Sequence, residues 1–352
     1  MNSSVELGPA DDMLVHKTLV RILPTEIDEM RVIDLFSGAG GFSAGFVFDF
    51  SDGHLAVDID QLALNTYQSN YPDATILRED IGQLHSTRLE KLLGGRPHIV
   101  IASPPCEEFS RANPKSQTPA IERVYGTGTA RLLLDTIRII GDLEPLVFVI
   151  ENVGAILESG GMDIIRSEFE RVGVNDVQFN MIRAHRHGNP SKRLRVFISN
   201  LRLKLPRQKA PSVIESIGDL PPLGINAIFT PREEVPNHRV RPITDDKLKR
   251  VRKTRWGRGA KAFRVKDRSM PNWIRLSPNQ VSTSINGLSR YIHPFEHRLL
   301  TVREHARLMS YPDTFLFTGP TDSQYNQVGE SVPPLISKLI AKEVTSHLDG
   351  QN

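Results

Sequence analysis

The sequence predicts a mixed α/β protein, with a mostly parallel sheet covered by helices on both faces and a smaller, loop-rich second domain. Three observations carry this reading. Short apolar runs alternate with helix-patterned segments from Arg31 to about Asn200. The runs are apolar throughout rather than at every second position, as in strands buried on both faces. The alternation stops after about residue 205, where prolines cluster and basic residues follow.

Residues 1–29 read as a polar extension with one amphipathic turn around Leu14 to Ile22. RVIDLF (31–36) is the first strand, followed by Gly-rich SGAGG and the helical-looking FSAGFVFDF. HLAVDID (54–60) is the second, followed by QLALNTYQSNY as a helix. HIVIAS (98–103) is the third, and TARLLLDTIRIIGDL (129–143) is an amphipathic helix with apolar residues at helical spacing. LVFVIENV (146–153) is the fourth, with a helix running to about Arg171, and RVFISN (195–200) is the fifth. Pro206, Pro211, Pro221, Pro222, Pro231, Pro236 and Pro242 then break the pattern. Helices return at LLTVREHARLMSY (299–311), stopped by Pro312, and at PLISKLIAKEVTSHL (334–348). The expected main domain covers 30–210 and is completed by 324–352, with a small domain and hinge at 211–323.

Composition narrows the class. The chain is 39% hydrophobic and 24% charged, as in ordinary globular proteins. No apolar run approaches the roughly 20 residues that span a bilayer. The start, MNSSVELGPADDMLVHK, lacks the basic-then-apolar order of a secretory signal. A single cysteine excludes an intramolecular disulfide framework and fits a reducing cytoplasm, and no zinc-ligand spacing occurs. Net charge is only +3, yet Lys247, Lys249, Arg250, Arg252, Lys253, Arg255, Arg258, Lys261, Arg264, Lys266 and Arg268 fall in one stretch, opposed only by Asp267. That density suits a polyanion, and equally a solvated loop.

In open parallel sheets, ligands sit outside the carboxyl ends of the strands, and the unusual clusters here fall at such ends. Ser37-Gly38-Ala39-Gly40-Gly41 follows the first strand, where glycines let the backbone approach a ligand. Its spacing differs from the dinucleotide fingerprint. Asp58 and Asp60, at the end of the second strand, stand where ribose hydroxyls could be bound. A nucleoside cofactor without a pyrophosphate fits best; a plain strand–helix turn with capping aspartates is the alternative. Pro104 and Pro105 stiffen the loop that carries Cys106, a candidate nucleophile. Glu151, ending an apolar strand, is partly desolvated and suited to holding a proton, while Asn152 could cap a helix. Arg193 and Arg195, two residues apart at a strand start, share a face and could bind phosphate or a carbonyl oxygen.

Taken in order, these residues resemble the motifs of the cytosine-C5 DNA methyltransferases of bacterial restriction–modification type, over roughly 31–200 and 290–345. DLFSGAGGFSAGF is similar to that family's cofactor loop, VDID to its ribose-binding strand end, and Glu79-Asp80-Ile81 to its next cofactor motif. SPPCEEFS resembles the nucleophile loop, ENV the glutamate motif, and KRLRVF the arginine motif. LLTVREHARLMSYPDTF and QVGESVPP resemble the last two. A Pro-Pro-Cys followed by Glu-Asn-Val, with both late motifs, is highly specific.

The resemblance implies an S-adenosylmethionine-dependent methyltransferase fold and a catalytic set of Cys106, Glu151, Arg193 and Arg195. Cys106 would add to C6 of a flipped cytosine, Glu151 would bind its N3 and amino edge, and Arg195 its O2. Arg193 would position the thiol loop or a phosphate. S-adenosyl-L-methionine would lie against Phe36, Ser37, Gly38, Gly40, Gly41, Asp58, Ile59, Asp80, Ile81, Pro104, Glu330 and Ser331. The 211–323 segment becomes a target-recognition domain, with Arg255, Trp256, Arg258 and Lys261 as candidate contacts to double-stranded DNA. A cognate nuclease cutting the same unmodified site, a monomeric state and a cytoplasmic, nucleoid-associated location are implied as well. A tRNA cytosine methyltransferase is the alternative, since some enzymes with this motif set modify tRNA. Glu107, Ser191, Glu330, Met309 and Ser310 depart from the family's usual residues.

Overall fold

The structure is a computed structural model describing residues 30–46, 53–106, 108, 120–223, 235–265 and 268–350; the expected extension 1–29 lies outside them. In chain order the main unit contains β1 (Val32–Leu35), β2 (His54–Asp58), α1 (Gln61–Asn70), β3 (Thr75–Arg78), α2 (Ser86–Leu93) and β4 (Ile99–Ala102). It continues with α3 (Ala120–Val124), α4 (Leu132–Leu143), β5 (Val147–Asn152), α5 (Gly161–Arg171), β6 (Gln178–Arg183) and β7 (Leu194–Ser199).

These seven strands form one sheet in the order β3-β2-β1-β4-β5-β7-β6. Strands β3 to β5 are mutually parallel. Strand β7 alone runs the other way, antiparallel to both β5 and β6. The mostly parallel sheet follows the expectation. The sequence reading found β1, β2, β4, β5 and β7 and passed over β3 and β6, which are the two edges.

Side-chain alternation explains the two-sided core. Ile33, Leu35, Val100, Ala102, Phe148 and Ile150 face one layer, against Leu133, Ile137 and Ile140 of α4 and Phe169 of α5. Val32, Ile99, Ile101, Val147 and Val149 face the other, against Phe42, Phe46 and the last helix, α10, described below. Burying an aliphatic side chain of this size is worth roughly 1.5–3 kcal/mol, so a run apolar on both sides is stable only between two layers.

The rest of the chain contains α6 (Val213–Ile217), α7 (Asp245–Lys253), β8 (Gly259–Val265), β9 (Arg268–Arg275), β10 (Tyr291–Ile292), α8 (Val302–Leu308), α9 (Thr321–Glu330) and α10 (Pro334–Asp349). Strands β8, β9 and β10 form a second sheet, order β10-β9-β8. A small cluster of Val251, Ile292 and Leu299, joined by Ile243, Ala260 and Trp273, lies under this hairpin. Helices α6, α8 and α9 share a larger cluster with Ala39 and Tyr71 of the main unit.

Two helix boundaries differ from the sequence reading. The helical-looking FSAGFVFDF gives only a 3-10 turn at Ser43–Gly45, and 47–50 lie outside the described residues. A Cβ at Gly45 would collide with the backbone of Ser337, so this turn is pressed against α10. Helix α8 starts at Val302 because Thr301 caps it reciprocally with Glu304. It ends at Leu308, and Ser310 beyond it has φ +63°, its Oγ accepting from Leu335 N.

Candidate active site

Strand order converges the chemistry. Strand β4 lies between β1 and β5, and β7 lies on the far side of β5. Because β7 is reversed, its beginning adjoins the carboxyl end of β5, with Asn152 opposite Val196 and Glu151 opposite Phe197. The end of β4 thus delivers Cys106, the end of β5 delivers Glu151, and the start of β7 delivers Arg193 and Arg195.

Glu151 is 5% exposed. Its Oε1 lies 2.9 Å from Arg195 Nε and 3.8 Å from an Arg193 terminal nitrogen. Neither contact is a hydrogen bond, the first by its angle and the second by its length, and among the described residues the buried Oε1 has no hydrogen-bond partner. A buried carboxylate oxygen held by charge alone leaves a lone pair for a donor that enters the site.

Arg193 is 2% exposed and donates to the carbonyls of Gly329, at 2.9 Å, and Ile285, at 3.4 Å. Burial, with Arg195 adding to it, lowers its pKa to about 10. At that depth it spans α9, the 285 loop and Glu151. Arg195 is more accessible, with 18% of its side chain exposed.

Cys106 is a free, half-buried thiol. Burial raises its pKa and Glu151 raises it further, while Arg195 and Arg193 oppose both. The thiol is therefore mostly protonated when the site holds no base. Its loop is tied to β5 by Asn152, whose Nδ2 donates to the Pro104 carbonyl at 3.2 Å and whose Oδ1 accepts from Val153 N. Asn152 caps no helix: the following 3-10 turn has Val153 as its N-cap, without a side-chain bond. The fixed link between glutamate strand and thiol loop was not read from the sequence. Glu107 and 109–119 lie outside the described residues.

The glycine-rich turn lies at the end of β1. Phe36 has φ +58° and Gly38 φ +53°, and Gly38 N donates to Asp58 Oδ2 at 2.8 Å. A Cβ at Gly38 would meet nothing within 4 Å, whereas one at Gly41 would strike the Tyr311 hydroxyl, Val332 O and Ser331. One side of the turn is thus packed and the other open. Ser37 Oγ is buried without a partner among the described residues, and Ile59, after β2, is 63% exposed. Asp60 caps α1 through Leu62 N, and Asp80 Oδ1 accepts from Gly82 N beside the buried Ile81. An open turn, an unused hydroxyl, a bare aliphatic surface and carboxylates after β2 and β3 suit a nucleoside with a ribose.

Beneath the turn lies a buried polar cluster. Asp34 Oδ2 accepts from Ser43 Oγ at 2.5 Å, and Tyr67 OH donates to the same Ser43 oxygen at 2.7 Å and meets His54 Nε2 at 2.7 Å. Burial raises the pKa of Asp34 to about 8 and lowers that of His54 to about 4.

Ser331 lies against the glycine turn, its Oγ accepting from Tyr311 OH at 2.7 Å. The Glu330 carboxyl approaches Gly287 instead. The departures Ser191 and Met309 touch each other, Oγ to Sδ at 3.7 Å. Arg255, Trp256 and Arg258 are exposed, while Lys261 is half-buried with its ammonium 5.3 Å from the Trp273 ring centroid.

A lone thiol, a buried carboxylate and paired arginines thus gather at adjoining strand ends, beside a glycine-rich turn with one open side. The chain belongs to the C-5 cytosine-specific DNA methylases, whose family profile matches residues 30–346. A Methanocaldococcus jannaschii protein, provisionally named a type II methyltransferase, is 36% identical over 91% of this chain and 99% of its own length. The type II methyltransferase M1.HphI of Haemophilus parahaemolyticus is 33% identical, over 90% of this chain and 86% of its own. In fold, the chain is similar to a DNA modification methyltransferase, also provisionally named, encoded within an E. coli prophage. That match has a TM-score of 0.72 and 23% identity over 91% of this chain and 99% of that one.

Proposed function

We propose that the protein methylates C5 of cytosine within a specific sequence of double-stranded DNA, using S-adenosyl-L-methionine, and protects DNA that a cognate nuclease would cut. The observation that carries this is the joining of the only thiol, a Glu151 oxygen unpartnered among the described residues and Arg195 at three adjoining strand ends. The cofactor residues are Phe36, Ser37, Gly38, Gly40, Gly41, Asp58, Ile59, Asp80, Ile81, Pro104 and Ser331, with Glu330 at the margin. Residues 30–210 and 324–352 form the catalytic part and 211–323 the recognition part, working as a monomer in the cytoplasm.

Cytosine enters with its N3 and amino edge towards Glu151 and its O2 towards Arg195. Cys106 gives up its S–H proton to solvent and its Sγ bonds to C6, the C5–C6 π pair moving towards C5 as an enamine while Glu151, bound to the N3 edge, favours protonation at N3. S-adenosyl-L-methionine, when bound, supplies an electrophilic methyl on a sulfonium. Asn152 keeps Cys106 at its station through Pro104, and Arg193 holds Glu151 and α9 together. Loss of the C5 proton and departure of Cys106 restore the ring. The target atom is stacked in a duplex, so the base must leave the helix to reach this depth.

The test incubates the protein with labelled S-adenosylmethionine and mixed duplex DNA, beside Cys106→Ala, followed by bisulfite sequencing. Label at C5 of cytosine in one short sequence, absent from the variant, is the expected result. Label only in added tRNA would move the substrate to RNA.

A further inference from the structure

We infer that Trp256 and Phe295 form a rigid base-contacting platform, with the surrounding cations holding the phosphates of the same nucleic acid. This deepens the DNA reading of the proposed function and rests on it for the identity of the polymer.

The two rings are 54% and 55% exposed, and they meet edge to face, centroids 6.0 Å apart at 87°. Single exposed apolar residues are ordinary, but this pair is held in place. The Trp256 indole N–H donates to the Pro294 carbonyl at 2.8 Å, which fixes the ring on the loop that carries Phe295. Both flanks are bound by one buried side chain, Arg275, which is 4% exposed. Its Nε donates to Thr254 O. One terminal nitrogen donates to His293 O at 2.6 Å, Glu296 O at 3.0 Å and Pro294 O at 3.3 Å, and the other to Val251 O and His297 Nδ1. A guanidinium has its five N–H groups in a fixed fork, so Arg275 locks the end of α7 and the 293–297 loop into one frame. The carbonyl-satisfied cation is buried, while the two rings it supports face solvent.

The charge around the pair names the occupant. Arg252, Lys253, Arg255 and Arg258 are exposed and make no ion pair with a carboxylate among the described residues. Glu296, the acid next to Phe295, is bound to Arg298. Cations without carboxylate partners among the described residues, around flat, uncharged rings, match a polymer whose backbone is anionic and whose bases offer apolar edges in the grooves and a π face where the duplex opens. A protein partner of acidic character would use the cations and leave the rings idle.

The chain has two tryptophans, so Trp256→Ala leaves Trp273 as the remaining emitter. Sheared genomic duplex DNA should quench wild-type emission at saturation, whereas heparin should bind without quenching. Trp256→Ala should abolish the quench, and Trp256→Ala and Phe295→Ala should each weaken DNA binding about tenfold, within the range measured for base–aromatic stacking. Arg275→Met should reduce the quench more than it reduces heparin binding, because it frees the rings and leaves the surface cations. Unchanged emission while labelled duplex binds, or equal affinity in the double alanine variant, would overturn the platform. Binding and quenching by tRNA with none by DNA would keep the platform and sink the DNA reading.

Discussion

At Glu151 one carboxylate answers to three neighbours: it attracts Arg193 and Arg195 and repels a thiolate at Cys106. Glu151→Gln removes the repulsion, so the pH midpoint for alkylation of Cys106 by iodoacetamide should fall, even as methyl transfer is lost. A midpoint that stayed or rose would show that burial alone governs the thiol. Asp34 gives a second residue-scale test. Its pKa is raised from 3.8 to about 8 in the folded state, so the native protein keeps a proton that the unfolded chain has released. Stability contributed by this group is therefore greatest below about 4 and is lost as pH rises towards 8. His54, lowered to about 4, acts in the opposite sense only below its ordinary 6.5. Between pH 6.5 and 8, urea midpoints of the wild type should fall and those of Asp34→Asn should stay flatter; parallel curves would refute the assignment.

Among elements, β5 and the thiol loop act as one piece through Asn152. Asn152→Ala should lower kcat about 10- to 100-fold, the cost of a misplaced nucleophile, with cofactor affinity unchanged; an equal loss in cofactor binding would point to general disorder. Helix α7 presents Lys249, Arg250, Arg252 and Lys253 to solvent, so reversing these charges should weaken DNA binding and flatten its salt dependence. Unchanged affinity would route the DNA elsewhere. The strands that carry the site were legible because β1, β4 and β5 are buried on both faces, and burial writes an unbroken apolar run. Strands β3 and β6 escaped notice for the converse reason. TILR and QFNMIR are edge strands with mixed exposure, and their sequences show neither a run nor a clean alternation. The reversal of β7 left no trace either, since RVFISN reads the same in both directions of pairing. In the hairpin, charge and Pro271 hid the β8–β9 pairing, and nothing local in the sequence pointed to Arg275 or Phe295.

For the whole molecule, the C-terminal helix packs into the core of the main unit. Helix α10 buries Ile336, Ile340, Val344 and Leu348 in the same cluster as Met30 and Val32, and Ser337 Oγ donates to Phe42 O beside the glycine turn. Ile340→Ala should cost about 2–5 kcal/mol of unfolding free energy. The loss should appear in the melting of the main unit, together with weaker cofactor binding. A smaller loss, with cofactor binding intact, would mean that α10 is a passive cover. The sequence leads one to expect 324–352 with the main domain; residues 336–348 share a cluster with Met30 and Val32. Its boundary at 211 is less sharp in packing, because α6 and α8 share a cluster with Ala39.

The only cysteine in 352 residues is held as a thiol by burial and by Glu151. Peroxide and air attack the thiolate form, so a thiol kept protonated by burial and by Glu151 is shielded from oxidation; under the proposed mechanism the same carboxylate also serves the reaction. Wear should then be concentrated in turnover, when a bound base occupies Glu151, and the enzyme's lifetime would be counted in catalytic cycles more than in hours.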